Sequence, residues 1–64
     1  MNKPAKNLKK GDVVKLEFGG ALFPTAHEIL SAYQENGTVV GVVKMVYGSE
    51  SIRFNENEIV EVVE

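Results

Sequence analysis

Along most of this chain apolar and polar residues alternate with the period of two expected of half-buried strands. Over residues 12–18, Val14, Leu16 and Phe18 fall on one face and Val13, Lys15 and Glu17 on the other, which predicts a first strand. Lys10-Gly11-Asp12 ahead of it is a turn signal, since glycine takes the positive φ that other residues resist. Gly19-Gly20 ends it. Residues 38–47 predict a second strand that is apolar on both faces, with Val39, Gly41, Val43, Met45 and Tyr47 on one and Val40, Val42, Lys44 and Val46 on the other. A strand with one wet face carries a polar residue at every second position. Both faces here therefore need cover, one from the interior and the other from a helix or a second copy of the protein. Gly41 in mid-strand predicts a bend or bulge. Residues 47–50 read as a hairpin link and 51–54 as a strand with Ile52 and Phe54 inward. Asn55-Glu56-Asn57 reads as an Asx-type turn, and 58–63 as a last strand offering Ile59 and either Val62 or Val63 to the core.

One segment breaks the alternation. Thr25 followed three residues later by Glu28 has the form of a helix capping box, with Pro24 just outside it. Ala26, Ile29, Leu30 and Tyr33 then stand at i, i+3, i+4 and i+7, the apolar stripe of a short helix. Asn36-Gly37 supplies the left-handed stop of a helix C-terminus. These cues predict a helix over residues 26–35. Residues 1–7, polar, with Pro4 and no periodicity, are expected to form a flexible arm, and Leu8 to be the first residue tied to the core. The expected core is Leu8, Val14, Leu16, Phe18, Ile29, Leu30, Tyr33, Val39, Val43, Met45, Ile52, Phe54, Ile59 and Val62.

Three stretches give this pattern a likeness. Leu8-Lys9-Lys10-Gly11-Asp12-Val13-Val14 opens the sheet, Gly37-Thr38-Val39-Val40-Gly41-Val42 leads into a hairpin, and Ser51-Ile52-Arg53-Phe54 precedes Glu58-Ile59-Val60-Glu61-Val62. Together they resemble the SH3-like small β-barrel class, including its bacterial and phage one-domain members. The resemblance implies a mainly β, SH3-like barrel over residues 8–64, with the short α-helix inserted where such barrels carry a long variable loop. The aromatic groove that peptide-binding members use for proline-rich ligands is not matched, since there is no Trp and the only tyrosines are Tyr33 and Tyr47.

Size and charge narrow the picture further. A chain of 64 residues makes one thin domain, burying only about 60% of its unfolded surface. The absence of cysteine rules out disulfides and thiolate metal ligation, and a disulfide-free mini-domain suits a cytoplasmic setting. No apolar run approaches the ~20 residues of a membrane helix, and no apolar stretch follows the N-terminal lysines as in a secretory signal. The net charge of −2 conceals an asymmetry: the first fifteen residues carry +4 and the remainder −6. A basic arm on an acidic body can grip phosphates, but a dedicated nucleic-acid domain is more often basic overall.

Candidate chemistry is sparse. His27, the only histidine, is expected to be a solvated surface residue. No nucleophile-and-base signature accompanies Ser31, Ser49 or Ser51, so no enzyme activity is expected. The 55–58 segment lacks the alternating ligand spacing of a calcium loop, and Gly19-Gly20 lacks the fingerprint of a phosphate loop. No cofactor or metal is expected. The reading that remains is a small regulatory or interaction module of prokaryotic or phage origin that binds a larger, basic protein. Its expected contact residues are Leu22, Phe23, Tyr47, Glu58 and Glu61. Two alternatives stand beside it: a nucleic-acid accessory protein using Lys3, Lys6, Lys9, Lys10 and Arg53 on phosphates, and a structural homodimer.

Overall fold

The computed structural model describes residues 1–17 and 23–63. Six strands, β1 (Asn2–Pro4), β2 (Val13–Leu16), β3 (Thr25–Glu35), β4 (Thr38–Lys44), β5 (Ser49–Asn55) and β6 (Ile59–Val63), form one antiparallel sheet in the order β1-β6-β2-β3-β4-β5. Apart from a single 3-10 turn at Ala5–Asn7, the described residues contain no helix. The strand order leaves β1 and β5 at two open edges, so the hydrogen-bonded ring of a closed barrel is not formed. The sheet is nonetheless strongly curled: its extents of 30 × 23 × 21 Å are nearly isotropic, whereas a flat sheet is thin in one direction.

The predicted helix over residues 26–35 is instead the long strand β3, and the reason lies in a β-bulge. Through Ile29 the strand pairs with β2, Val14 standing opposite His27 and Leu16 opposite Thr25. Beyond it β3 pairs with β4, and the register slips between Ile29 and Ser31. An extra residue in one strand shifts the period-two phase by one. Ile29 and Ala32, three apart, therefore both turn toward the core, and a helical spacing arises within an extended strand. The other two helix cues are also put to different use. The Thr25 hydroxyl binds the His27 ring at 2.6 Å. Asn36 and Gly37 both have positive φ, 49° and 79°, as the two central residues of a type I′ hairpin require, and they join β3 to β4.

The core lies on the concave face: Val14 from β2, Ile29 from β3, Val39 and Val43 from β4, Phe54 from β5, and Val60 and Val62 from β6. Leu16, Ala32, Met45 and Ile52 pack at its margin. Ala5 and Leu8, both buried, belong to the same cluster. The N-terminal residues are thus not a loose arm. Asn2 lies opposite Glu61 and Pro4 opposite Ile59, the Ala5 N–H donates to the Glu58 carbonyl at 2.8 Å, and the Met1 carbonyl accepts from Val62 at 2.7 Å. The side of β6 away from β2 is taken by β1, and docking there places Ala5 at zero exposure.

Further expectations need correction. Tyr33 and Ile59, expected in the core, are 53% and 62% exposed, and Val60 rather than Ile59 faces inward. Leu30, at the bulge, is only half-buried and stands outside the core cluster. Gly41 marks no bulge, since β4 pairs with β5 without interruption from Thr38 to Lys44. The second apolar face of β4 needs no helix: Val40 is 4% exposed, with Tyr33 and Arg53 directly opposite it on the flanking strands. Long side chains beside a small one can cover it with their apolar stems. Phe18 lies outside the described residues.

Candidate interaction surface

The start of β3 and the loop between β4 and β5 come together at one end of the sheet. His27 joins them: its Nδ1 donates to the Lys44 carbonyl at 3.1 Å, and Nε2 meets the Thr25 hydroxyl at 2.6 Å. A carbonyl can only accept, so Nδ1 carries a ring proton; the Thr25 hydroxyl also reaches the Leu16 carbonyl at 3.4 Å, so its single proton serves either that carbonyl or Nε2. The expected solvated histidine is therefore a half-buried strut between two elements. Beside it opens a shallow cleft of about 400 Å³, lined by 25–28 on β3 and by Lys44, Met45 and Val46. Phe23, Val46 and Tyr47 border this end of the molecule and are 74%, 90% and 95% exposed. Burying one such side chain yields on the order of 1.5–3 kcal/mol, so their exposure leaves apolar surface at this end that a partner could cover.

The expected contact residues do not all gather there. Phe23 and Tyr47 are exposed and adjoin the cleft's lining segments in the chain without lining it themselves, while Leu22 lies outside the described residues. Glu58 stands in the β5–β6 turn at the opposite end of β5, where its carboxylate accepts from the Asn55 N–H at 3.3 Å. Asn55 also accepts from the Asn57 N–H at 3.0 Å, the Asx turn expected from sequence. Glu56 binds the Gln34 side-chain amide, and its N–H donates to the Gly37 carbonyl at 3.0 Å, tying this turn to the β3–β4 hairpin. Glu61, in mid-β6, pairs with Lys15 at 3.5 Å. Val46, expected to need cover on the outer face of its strand but not named among the contact residues, is exposed beside Tyr47. Its signal was present in an apolar residue one position before a Tyr-Gly turn.

The basic residues are likewise dispersed. Lys3 on β1 is held by Asp12 at 2.6 Å, both side chains being largely buried. Asp12 also accepts from the Lys9 N–H at 3.0 Å, closing the turn that Gly11 makes with φ +96°. Desolvation pushes the Asp12 carboxyl up. The Lys3 hydrogen bond, the Lys9 amide and the charges of Lys3 and Lys9 together outweigh it and hold the group below its ordinary value. Lys6, Lys9 and Lys10 are exposed near the N-terminus, and Arg53 stands on β5 beside Val40. Among the described residues no three carboxylates or imidazoles gather into a metal-holding group, and no helix is long and apolar enough to cross a membrane.

Neither a family model, nor a curated protein, nor a solved structure matches this chain.

Proposed function

We propose that this chain is a small protein-interaction module, without a catalytic role of its own, that docks a larger protein through the cleft beside His27. The observation that carries the reading is the exposure of Val46 on a cleft braced by a histidine, with Phe23 and Tyr47 exposed on the chain segments that adjoin its lining. Aromatic side chains on a rigid rim are what protein interfaces use as anchors. The charge of −6 carried by residues 16–64 suits a basic partner. We read the fold as an SH3-like relative of the small barrels with an incomplete ring. A long strand bent at a bulge and shared between two halves of the sheet supports that reading. It also fits the cytoplasmic adaptor or regulatory role expected of bacterial and phage one-domain members. The nucleic-acid alternative is less favoured, because Lys3 is engaged by Asp12 and residues 2–4 are committed to the sheet.

The test is affinity capture from bacterial lysate, with and without nuclease treatment, using the wild-type chain and a Phe23→Ser/Tyr47→Ser variant of unchanged circular dichroism. A stoichiometric protein held by the wild type and lost from the variant is the expected result. Equal retention by both would remove the cleft from the interface. Retention that disappears with nuclease would transfer the function to the lysines.

A further inference from the structure

The two edges of the sheet are finished very differently. β1 is three residues long, carries Lys3, and ends at Pro4, which has no N–H to offer. Short edges bearing lysine or proline resist further strand pairing. β5 is seven residues long, pairs with β4 in unbroken register, and over 49–53 has neither lysine, proline nor bulge.

Which β5 groups face outward follows from the hydrogen bonds that close its two ends. The Glu56 N–H donates to Gly37, and the Met45 N–H donates to the Gly48 carbonyl. Both pairs lie in the same phase of the ladder as Val39–Phe54, Gly41–Ile52 and Val43–Glu50. Antiparallel pairs alternate between hydrogen-bonded and non-hydrogen-bonded, so Phe54, Ile52 and Glu50 bond inward to β4. Ser49, Ser51, Arg53 and Asn55 turn their N–H and C=O groups to the open edge. Asn55 is satisfied by its own turn, its N–H on the Glu58 carboxylate and its carbonyl on the Glu58 N–H. Ser49, Ser51 and Arg53 remain with edge groups that no other described strand pairs.

We propose that β5 is a self-complementary dimer edge, at which a second copy of this chain adds its own β5 antiparallel, Ser51 facing Ser51 of the second copy. A twofold axis normal to the sheet keeps the concave faces on one side, so only positions of like parity can face each other. Centred on Ser51, the register sets Ser49 against Arg53 of the second copy and Arg53 against its Ser49. Every outward N–H and C=O of these three residues then finds a partner. Glu50 faces Ile52 of the second copy, and no like charges stand opposite. Centring on Ile52 would set Ser49 against Asn55, whose groups are already taken. Centring on Arg53 would place two guanidinium groups face to face, which is repulsive. The self-match of this edge favours a second copy over an unrelated strand, and it is independent of the cleft on which the proposed function rests.

Sedimentation of the full chain over a dilution series is the first measurement, with an expected mass approaching twice 7.0 kDa at the concentrated end. Ser51→Lys sets two ammonium groups opposite each other at the centre and is expected to raise the dimer dissociation constant at least about tenfold. Ser51→Pro removes an outward N–H that β4 does not use and is expected to act in the same direction. Ser51→Cys, in a chain without other cysteines, is expected to cross-link under mild oxidation, because facing Cα atoms about 5.5 Å apart lie within disulfide reach. Ser49→Cys, displaced from the axis, is not. A wild-type mass of 7.0 kDa throughout the series, an undiminished dimer in the folded Ser51→Lys chain, or equal cross-linking at both cysteines would overturn the proposal.

Discussion

Gly41 offers a sharp test of the packing, because a substitution there is expected to stabilise. It sits in mid-β4 between Ala32 and Ile52, buried on the concave face. A Cβ added at this position would meet Phe54 Cε2 at 3.5 Å, Ile29 Cδ1 at 3.6 Å and the Ile52 carbonyl at 4.0 Å. These are ordinary van der Waals separations, and the residue does not have the positive φ that penalises a side chain. Gly41→Ala therefore adds a buried methyl, worth up to about 0.8 kcal/mol. It also removes chain freedom from the unfolded state, worth about 0.4–1 kcal/mol. A net gain of about 1 kcal/mol is expected, which in a domain this small raises Tm by about 4–8 °C. Gly41→Val carries the added atoms into the Phe54 ring and the Ile29 methyl and is expected to lose about 1–3 kcal/mol to overpacking. Thermal unfolding followed by circular dichroism reads both. A fall in Tm for Gly41→Ala would mean that the Phe54 ring and Ile29 leave no room above the glycine, refuting the reasoning. Equal behaviour of Ala and Val would mean that the concave face is not packed there at all.

Two further substitutions address other parts of the core. Ile29→Ala, at a fully buried site, is expected to lose about 2–5 kcal/mol. Ile59→Ala, at a site 62% exposed, should change stability by under about 0.5–1 kcal/mol; urea midpoints of similar shift would contradict the inward placement of Val60. Asp12→Asn removes the partner of Lys3 and is expected to cost about 1–2 kcal/mol near neutral pH. Because the Asp12 carboxyl titrates below its ordinary value in the folded chain, its contribution is fully present above an unfolded value of about 4. It is lost as the pH falls through the lower folded value, so urea titrations should show wild type and variant converging in acid. A difference that persists unchanged in strong acid would remove the ion pair as its cause.

Much of the strand pattern was legible locally. Val14, Val39, Val43 and Phe54 declared their inward faces through alternation, and all four are in the core. The Gly11 turn and the Asx turn at Asn55 were legible because each depends on the chemistry of a few adjacent residues. The misread segment shows where local evidence runs out. A bulge at Leu30 sets Ile29 and Ala32 three apart on one face, as a helix would. Asn36-Gly37 suits a helix C-terminus and a type I′ hairpin equally, since both require left-handed backbone. Choosing between them depended on β2 and β4 being present on either side to accept the backbone hydrogen bonds of β3.

The candidate site divides along the same line. Alternation, glycines and turn residues by themselves determined that this chain is mainly β, where most strands run, and that Val14, Val39 and Val43 line the interior, because these follow from backbone sterics and a two-residue period. Tertiary structure alone decided that residues 2–4 complete the sheet, that Lys3 is spent on Asp12, and that His27 braces the cleft. It alone set Glu58 and the exposed Phe23 and Tyr47 at opposite ends of β5. Each of these joins residues distant along the chain, and their energies arise only when strand pairing has brought the partners within hydrogen-bonding or ion-pairing distance.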